Sequence, residues 1–527
     1  MEQYKRILLK EFDSRQKVIT ELTNLEAILN LPKGTELYIS DIHGEFAAFD
    51  YILRSCAGIL NEKIKDCFGD SLSEDHKDRL SALVSYPELV LGEETKGQDW
   101  YQETIPQLLN LLAFAGAKYS RSKVRKALPE DYAYIIDELL HAQKNEDTNK
   151  VSYHRHILQT IIDLDDADEF IIALSTLIKR LAVDHLHIVG DIFDRGGNAD
   201  KIIDLLMNYH SLDIEWGNHD ILWMGAACGN DACICNVIRN NLKYGNVEIL
   251  ENAYGISLRH LMLFGMSKYG IEDAIQAALA AIKVMLFKLE GQLIKRHPEY
   301  GMDDRLLLEH IDLDEGFVNV NGVKAKLKTN IFPTLNKENP YELTAEENEI
   351  MLKLHRSFVS GQRLNKHIKF LYDKGGMYNV YNRNLIYHGC VPVDENGIFD
   401  MLCINGKCYH GKALFDICDE KARAAYTDNP SQDDVDFMWF LWGGEKSPLC
   451  GRKVKTFERD YIEDKSFWKE KSNPYYSKYY DESFCIQILH EFGLYDTHSH
   501  IINGHTPVHA IDGEHPVRAN ERLFVID

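Results

Sequence analysis

Apolar positions recur along this chain with two different periods, and the change of period marks where helices give way to strands. Over residues 1 to about 31, Ile7, Leu8 and Phe12, then Val18, Ile19, Leu22, Leu25, Ile28 and Leu29, keep helical spacing. The pattern stops at Pro32, Lys33 and Gly34, which predicts a pair of helices leading into a strand. Five short apolar runs predict strands, each ending in side chains suited to metal or proton chemistry. Glu36 to Gly44 reads ELYISDIHG and ends in Asp41 and His43. His187 to Gly196 reads HIVGDIFDRG and ends in Asp191, Asp194 and Arg195. Asp213 to Asp220 reads DIEWGNHD and ends in Asn218 and His219. NLIYHG ends in His388, and HIINGHTP in His505. Open α/β sheets place ligands outside the carboxyl ends of their strands, so five such ends can gather two Asp, one Asn and three His around one point.

Between these runs the pattern is mostly helical. The expected organisation is N-terminal helices over 1–34, a first β-α unit over 35–60, and a helical insertion over 61–184. Core strands over 185–229, a second mainly helical insertion over 230–375 and a strand-rich stretch over 376–527 follow. In the first insertion Ile105, Leu108, Leu109, Leu111 and Leu112 form one stripe, Tyr134, Ile135, Leu139 and Leu140 another, and the polar run Gln143 to Lys150 predicts a loop. In the second, Ile271 to Ile294 predicts a buried helix, Asn321-Gly322 a hairpin turn, and Thr344-x-x-Glu347 a capping box. Asn405-Gly406 predicts a further hairpin. There is no repeat, P-loop, dinucleotide fingerprint or HExxH.

The chain has 527 residues and a formal net charge of −23. That excess of acid argues against nucleic acid or an anionic membrane as partner, and it obliges an anionic substrate to find local positive charge. The amphipathic N-terminus has no signal-like apolar core, and the most apolar segment carries Glu272, Asp273, Lys283, Lys288 and Glu290, too much charge to span a bilayer. Eleven scattered cysteines predict reduced thiols and a cytoplasmic setting. Cys228, Cys233 and Cys235 lack paired CxxC spacing and predict core or loop thiols.

Two divalent ions about 3.5–4 Å apart can clamp the attacking and leaving oxygens of a phosphoryl displacement. Asp191 is the candidate bridging ligand, Asp41 and His43 would complete one ion's set, and Asn218, His388 and His505 the other's. Mixed oxygen and imidazole donors favour manganese, iron or zinc over magnesium or calcium. A hydroxide between the ions would be the nucleophile. His219 is the candidate acid for the leaving alkoxide, Asp194 would hold its imidazole, and Arg195 would grip phosphate oxygens. The plainer alternatives are a solvated turn for Asp194 and Arg195 and a packed histidine for His219. For a second phosphate the basic cluster is Lys446, Arg452, Lys453 and Lys455, of which Arg452 is the chosen candidate; a solvated charged loop is the alternative.

In order, DIHG, GDIFDRG, GNHD, HG and GHTP resemble the calcineurin-like metallophosphoesterase superfamily, where these positions are two-metal ligands, a catalytic His-Asp pair and a phosphate arginine. Nearly the whole chain, including WGNHDILWMGAACGN, NVYNRNLIYHGCVPV and FMWFLWGGEKSPLCGRKVKTFERDYI, resembles the class III fructose-1,6-bisphosphatases of Firmicutes-type bacteria. The resemblance implies an α/β fold: a two-layered β-sheet metallophosphoesterase core flanked by helices, with large mostly helical insertions. It implies hydrolysis of the 1-phosphate of fructose 1,6-bisphosphate, giving fructose 6-phosphate for gluconeogenesis, with two Mn2+ ions per site. A small phosphorylated sugar as substrate and a homo-oligomer are expected. Alternatives are a protein or dinucleoside-polyphosphate phosphatase, or a non-catalytic module on that fold. Pro507 stands where many superfamily members have a second histidine, implying more water on one ion. The end at LFVID predicts a chain that continues beyond Asp527.

Overall fold

A computed structural model of the protein describes residues 2–94, 96–141, 148–404, 406–509, 511 and 513–527. It is a mixed α/β chain, mostly helical, with several sheets. Two compact units divide it: Met1–Leu37 with Asp50–Leu186, and Tyr38–Phe49 with His187–Asp527.

The first unit is built of helices. Its N-terminal pair spans Glu2–Glu11 and Arg15–Leu29, as the helical spacing predicts, and Ser14 caps the second by accepting from the Lys17 amide. The apolar stripe of that second helix is uncovered among the described residues, with Leu22 57% and Leu29 83% exposed. Gln98–Gly116 packs on Ala167–Ala182, burying Ile105, Leu108, Leu111 and Leu112. The second stripe is less regular than its sequence suggests: Ile136 and Leu139 are buried, whereas Tyr134 is exposed and its hydroxyl meets that of Tyr153. Of the predicted loop from Gln143 to Lys150, positions 143–147 lie outside the described residues, and Thr148 opens a helix running to Asp163.

The second unit is organised on two sheets. One has the order β1 (Glu36–Ile39), β2 (His185–Ile188), β3 (Leu212–Glu215), then the short strand Gly375–Gly376 parallel to β3; the unit boundary runs through β1 and β2. In the other, His500–Asn503 lies between Leu523–Val525 and Asn384–Ile386 and is parallel to both. Asn379–Tyr381 and Val517–Arg518 pair antiparallel at the two edges. Polar contacts link the sheets: Asn384 Nδ2 donates to the Tyr38 hydroxyl at 3.1 Å, Asn379 Nδ2 to Asp213 at 2.7 Å, and the Tyr381 ring meets His187 edge-on at 4.9 Å.

Helices surround these sheets. Ala274–Arg296, the predicted buried helix, packs on Asp231–Tyr244 and Arg259–Tyr269. Its charges are accommodated by pairing, since Lys288 Nζ donates to Glu347 and to the Thr334 carbonyl, each at 2.7 Å, with both ionic side chains fully buried. Glu347 completes the predicted capping box with Thr344 at the start of Ala345–Ser360. Asn321 and Gly322, both at positive φ, turn the hairpin between Phe317–Val320 and Val323–Lys326. Helices also run through the stretch read as strand-rich, notably Gly411–Ala425 and Gln432–Gly443.

One expectation is corrected. Leu402–Ile404 and Lys407–Tyr409 form a hairpin in which Cys403 and Cys408 stand directly opposite and are joined as a disulfide, so the thiols are not all reduced. Hairpin register makes that neighbourhood, and composition alone does not reveal it. Asn405, half of the predicted turn, lies outside the described residues. The other nine cysteines are free, and Cys233 and Cys235 sit in the core. Among the described residues no helix is long and apolar enough to cross a membrane.

Candidate metal centre and active site

The backbone registers that form the sheets continue past the strand ends and bring the candidate residues together. Val189 donates to Ile39, Asp41 to Gly190, His43 to Asp191 and Gly44 to Ile192, at 2.8–3.0 Å, so DIHG lies alongside GDIF. In the other sheet Gly504 donates to the His388 carbonyl, carrying the parallel pairing of its strands up to His388 and His505. Two close approaches require glycine: a Cβ on Gly190 would strike the His388 ring, and one on Gly217 would strike the Asp191 carboxylate. Asp41, His43, Asp191, Asp194, Arg195 and His505 all have positive φ, between 48° and 69°. Non-glycine residues in this region carry strain of about 1–3 kcal/mol each and cluster at functional sites.

Each of three histidines spends one ring nitrogen on a backbone carbonyl. His43 Nδ1 faces the Phe193 carbonyl at 3.0 Å, His388 Nδ1 that of Val189 at 2.9 Å, and His505 Nε2 that of Cys450 at 3.0 Å. Only N–H can satisfy a carbonyl, so the opposite nitrogen is left as a lone pair or a second N–H aimed inward. His43 Nε2 is buried without a hydrogen-bond partner among the described residues, 3.7 Å from Asp41 and 3.9 Å from Asp191. His388 Nε2 lies 3.5 Å from Asp191 Oδ2 and 3.1 Å from His505 Nδ1. Two clusters of metal-ligating atoms result, Asp41–His43–Asp191 and Asp191–His388–His505, each with its atoms within 4.8 Å of one another and with Asp191 in both. Asn218, 8% exposed, presents a buried Oδ1 without a partner among the described residues; it sits between Gly217 and His219, which both abut Asp191.

The electrostatics call for cations at this place. Burial lowers His43, and outweighs the pull of Asp191. Burial and the facing His388 hold His505 well below the ordinary histidine range. Burial also disfavours a charged His388, yet attraction to Asp191 prevails and raises it to about 10. Carboxylate oxygens and imidazole nitrogens therefore converge where burial disfavours the charged form of all three rings. A divalent ion in each cluster would satisfy the orphaned His43 Nε2 and Asn218 Oδ1, so the donor set fits two metals.

His219 stands beside these clusters, its ring edge-on to His43 at 5.3 Å. Its Nδ1 is 2.7 Å from Asp194 Oδ2, and its amide donates to Asp191 Oδ1 at 2.9 Å. Burial would lower its pKa, but Asp191 and the Asp194 hydrogen bond outweigh that and raise it. Nε2 is thereby left as the nitrogen able to deliver a proton. Arg195 is exposed, makes no ion pair among the described residues, and has its backbone carbonyl held by Asn246 Nδ2 at 2.7 Å. Arg452 braces the GHTP turn, Nη2 donating to the His505 carbonyl at 3.1 Å and to Thr506 Oγ1 at 3.2 Å. The lysines of its cluster are spent elsewhere: Lys446 on Asp400, Lys453 on Asp304 and Lys455 on Glu458.

Sequence reasoning missed Asp220. Its buried carboxylate accepts from the amides of Asp191, Ile192, Phe193 and Gly217 at 2.8–3.3 Å, clamping the GDIF turn to the GNHD turn. The signal was present as the last residue of GNHD, an acid at the third position of the helix Asn218–Ala227.

The family model described as Firmicute fructose-1,6-bisphosphatase matches residues 3–527. A fructose-1,6-bisphosphatase class 3 of Streptococcus sanguinis (strain SK36) is 55% identical over 549 residues, covering 100% of this chain and 86% of the relative. One of the same description, numbered 1, from Clostridium beijerinckii is 48% identical over 552 residues, covering 99% and 83%. No solved structure matches the chain.

Proposed function

We propose, because the chain belongs to the Firmicute fructose-1,6-bisphosphatase family, that it removes the 1-phosphate of fructose 1,6-bisphosphate and releases fructose 6-phosphate. The observation that carries the chemistry is the pair of ligand clusters sharing Asp191 beside the His219–Asp194 pair. The core is assigned as the two-layered metallophosphoesterase sheet, supported by the polar contacts between its sheets and by the strand ends that meet at the clusters.

The assigned ligands are Asp41, His43 and Asp191 for one ion, and Asp191, Asn218, His388 and His505 for the other, with manganese favoured by the mixed donors. When bound, the ions supply charge to the phosphoryl oxygens and activate water. The chain's own residues do the rest. The backbone carbonyls of Phe193, Val189 and Cys450 fix the three ligand rings. His219 delivers a proton from Nε2 to the departing sugar oxygen, because an alkoxide is too basic to leave unprotonated. Asp194 holds the tautomer this requires. Arg195, exposed and without an ion pair among the described residues, takes the phosphate oxygens with its planar fork. Arg452, the cation of its cluster that touches a ligand loop, takes the second phosphate with the N–H groups not used on His505 and Thr506.

Product analysis by 31P NMR tests this assignment. One equivalent of phosphate with fructose 6-phosphate accumulating is expected; release of the 6-phosphate, or of neither, would overturn it.

A further inference from the structure

Asp194 is held by more than His219. Its carboxylate is 2% exposed and takes three donors: His219 Nδ1 at 2.7 Å and Asn240 Nδ2 at 2.9 Å on Oδ2, and Trp223 Nε1 at 2.9 Å on Oδ1. Trp223 is one helical turn beyond His219 in Asn218–Ala227. Its ring stacks on Phe193 at 4.6 Å, which fixes the indole plane. Asn240 comes from Asp231–Tyr244, a helix of the segment read as an insertion.

An amide could face Asp194 with either end, but here only one way is allowed. Asn240 Oδ1 accepts from Arg239 Nη1 at 3.0 Å, and a guanidinium can only donate. A flipped Asn240 would set its NH2 against that donor and its oxygen against a carboxylate. Arg239 is itself pinned, Nε donating to Asp460 at 2.6 Å, and Asp460 is nearly buried with Lys243 and Lys283 nearby. A chain of fixed orientation thus runs from Asp460 through Arg239 and Asn240 to Asp194 and on to the imidazole of His219.

We infer that Asn240 and Trp223 are positioning residues for phosphate-ester cleavage, holding Asp194 in the one plane that keeps His219 Nε2 aimed at the leaving oxygen. This deepens the proposed function and rests on its assignment of His219 as the acid. Two neutral donors fix the carboxylate without cancelling its charge, whereas an arginine there would compete with His219 for it. A helix of the second insertion thereby completes the acid.

The test compares fructose 1,6-bisphosphate, whose alkoxide needs a proton to leave, with p-nitrophenyl phosphate, whose phenolate does not. Wild type, His219→Ala, Asn240→Ala and Trp223→Phe are assayed in excess Mn2+, with melting curves to confirm folding. Trp223→Phe keeps the stack on Phe193, so it reports even if Asn240→Ala unfolds. Expected for each positioning variant is a fall in kcat of about tenfold or more on the bisphosphate with KM nearly unchanged, and a far smaller fall on p-nitrophenyl phosphate. Equal losses on both substrates, or no loss, in folded variants would overturn the inference. If His219→Ala shows the selective loss and these variants do not, only the positioning role falls. If His219→Ala itself lacks selectivity, the acid assignment falls and takes this inference with it.

Discussion

Asp220 illustrates what a single buried carboxylate does at this site. Four amides from two different turns point at it, so one carboxylate satisfies backbone donors of both the Asp191 and the Gly217 turn. Asp220→Asn keeps the shape but swaps one acceptor oxygen for an amide that meets N–H groups head-on. Manganese affinity is expected to fall about 10–100-fold, as measured by calorimetric titration, because Asp191 loses its support. The convergence of Asp41, His43, Asp191, His388 and His505 was legible in the sequence, since each follows a strand and parallel strands end together. Asp220, Trp223 and Asn240 were not. Asp220 accepts from amides of two turns, and Trp223 and Asn240 donate to Asp194, partnerships that no spacing along the chain encodes. The basic cluster around Arg452 was legible only as charge; the carboxylates of Asp400, Asp304 and Glu458 decide that its lysines are occupied.

At the scale of elements, patterns that are local in sequence translated directly. Thr344 and Glu347 are three residues apart and close a capping box, and Asn321-Gly322 supplies the two positive φ values a tight hairpin needs. Thr344→Ala is expected to cost about 1 kcal/mol in chemical unfolding. Lys288→Met should cost more, about 3–5 kcal/mol, because it strands the fully buried Glu347 charge. Nothing in the sequence paired Lys288 with Glu347, which are 59 residues apart, whereas the hairpin predicted at Asn405-Gly406 already sets Cys403 opposite Cys408. A third element-scale prediction concerns the end of the same long helix. His297 bonds to Asp436, which lifts its pKa above the ordinary 6.5 against the opposing effect of burial. A raised histidine stabilises fully below its unfolded value and loses that contribution as pH climbs through the folded value. The melting-temperature gap between wild type and His297→Gln should therefore be widest near pH 6 and shrink toward pH 9. A gap that widens over that interval would contradict the assignment.

At the scale of the molecule, a chain with net charge −23 is expected to handle a substrate with two phosphates, and the proposed metal ions with Arg195 and Arg452 would supply the local positive charge this requires. Two carboxylates converge at the site with inward-facing imidazoles, a donor set suited to divalent cations. Chelation should therefore lower the melting temperature as well as abolish turnover, since the ions bind only the folded site, and Mn2+ should restore both. The helical segments between the strand ends were legible as helices, but not the contacts of Asn240 with Asp194, 46 residues away, and of Arg239 with Asp460, 221 residues away. The central claim is a metal-dependent phosphatase selective for fructose 1,6-bisphosphate. The most direct measurement is phosphate release by chelator-stripped and Mn2+-restored protein from that sugar, fructose 6-phosphate, diadenosine tetraphosphate and a phosphopeptide. Turnover of the bisphosphate alone, only after Mn2+ is restored, is predicted. Turnover of the dinucleotide or phosphopeptide in its place, or release that persists without metal, would contradict the account.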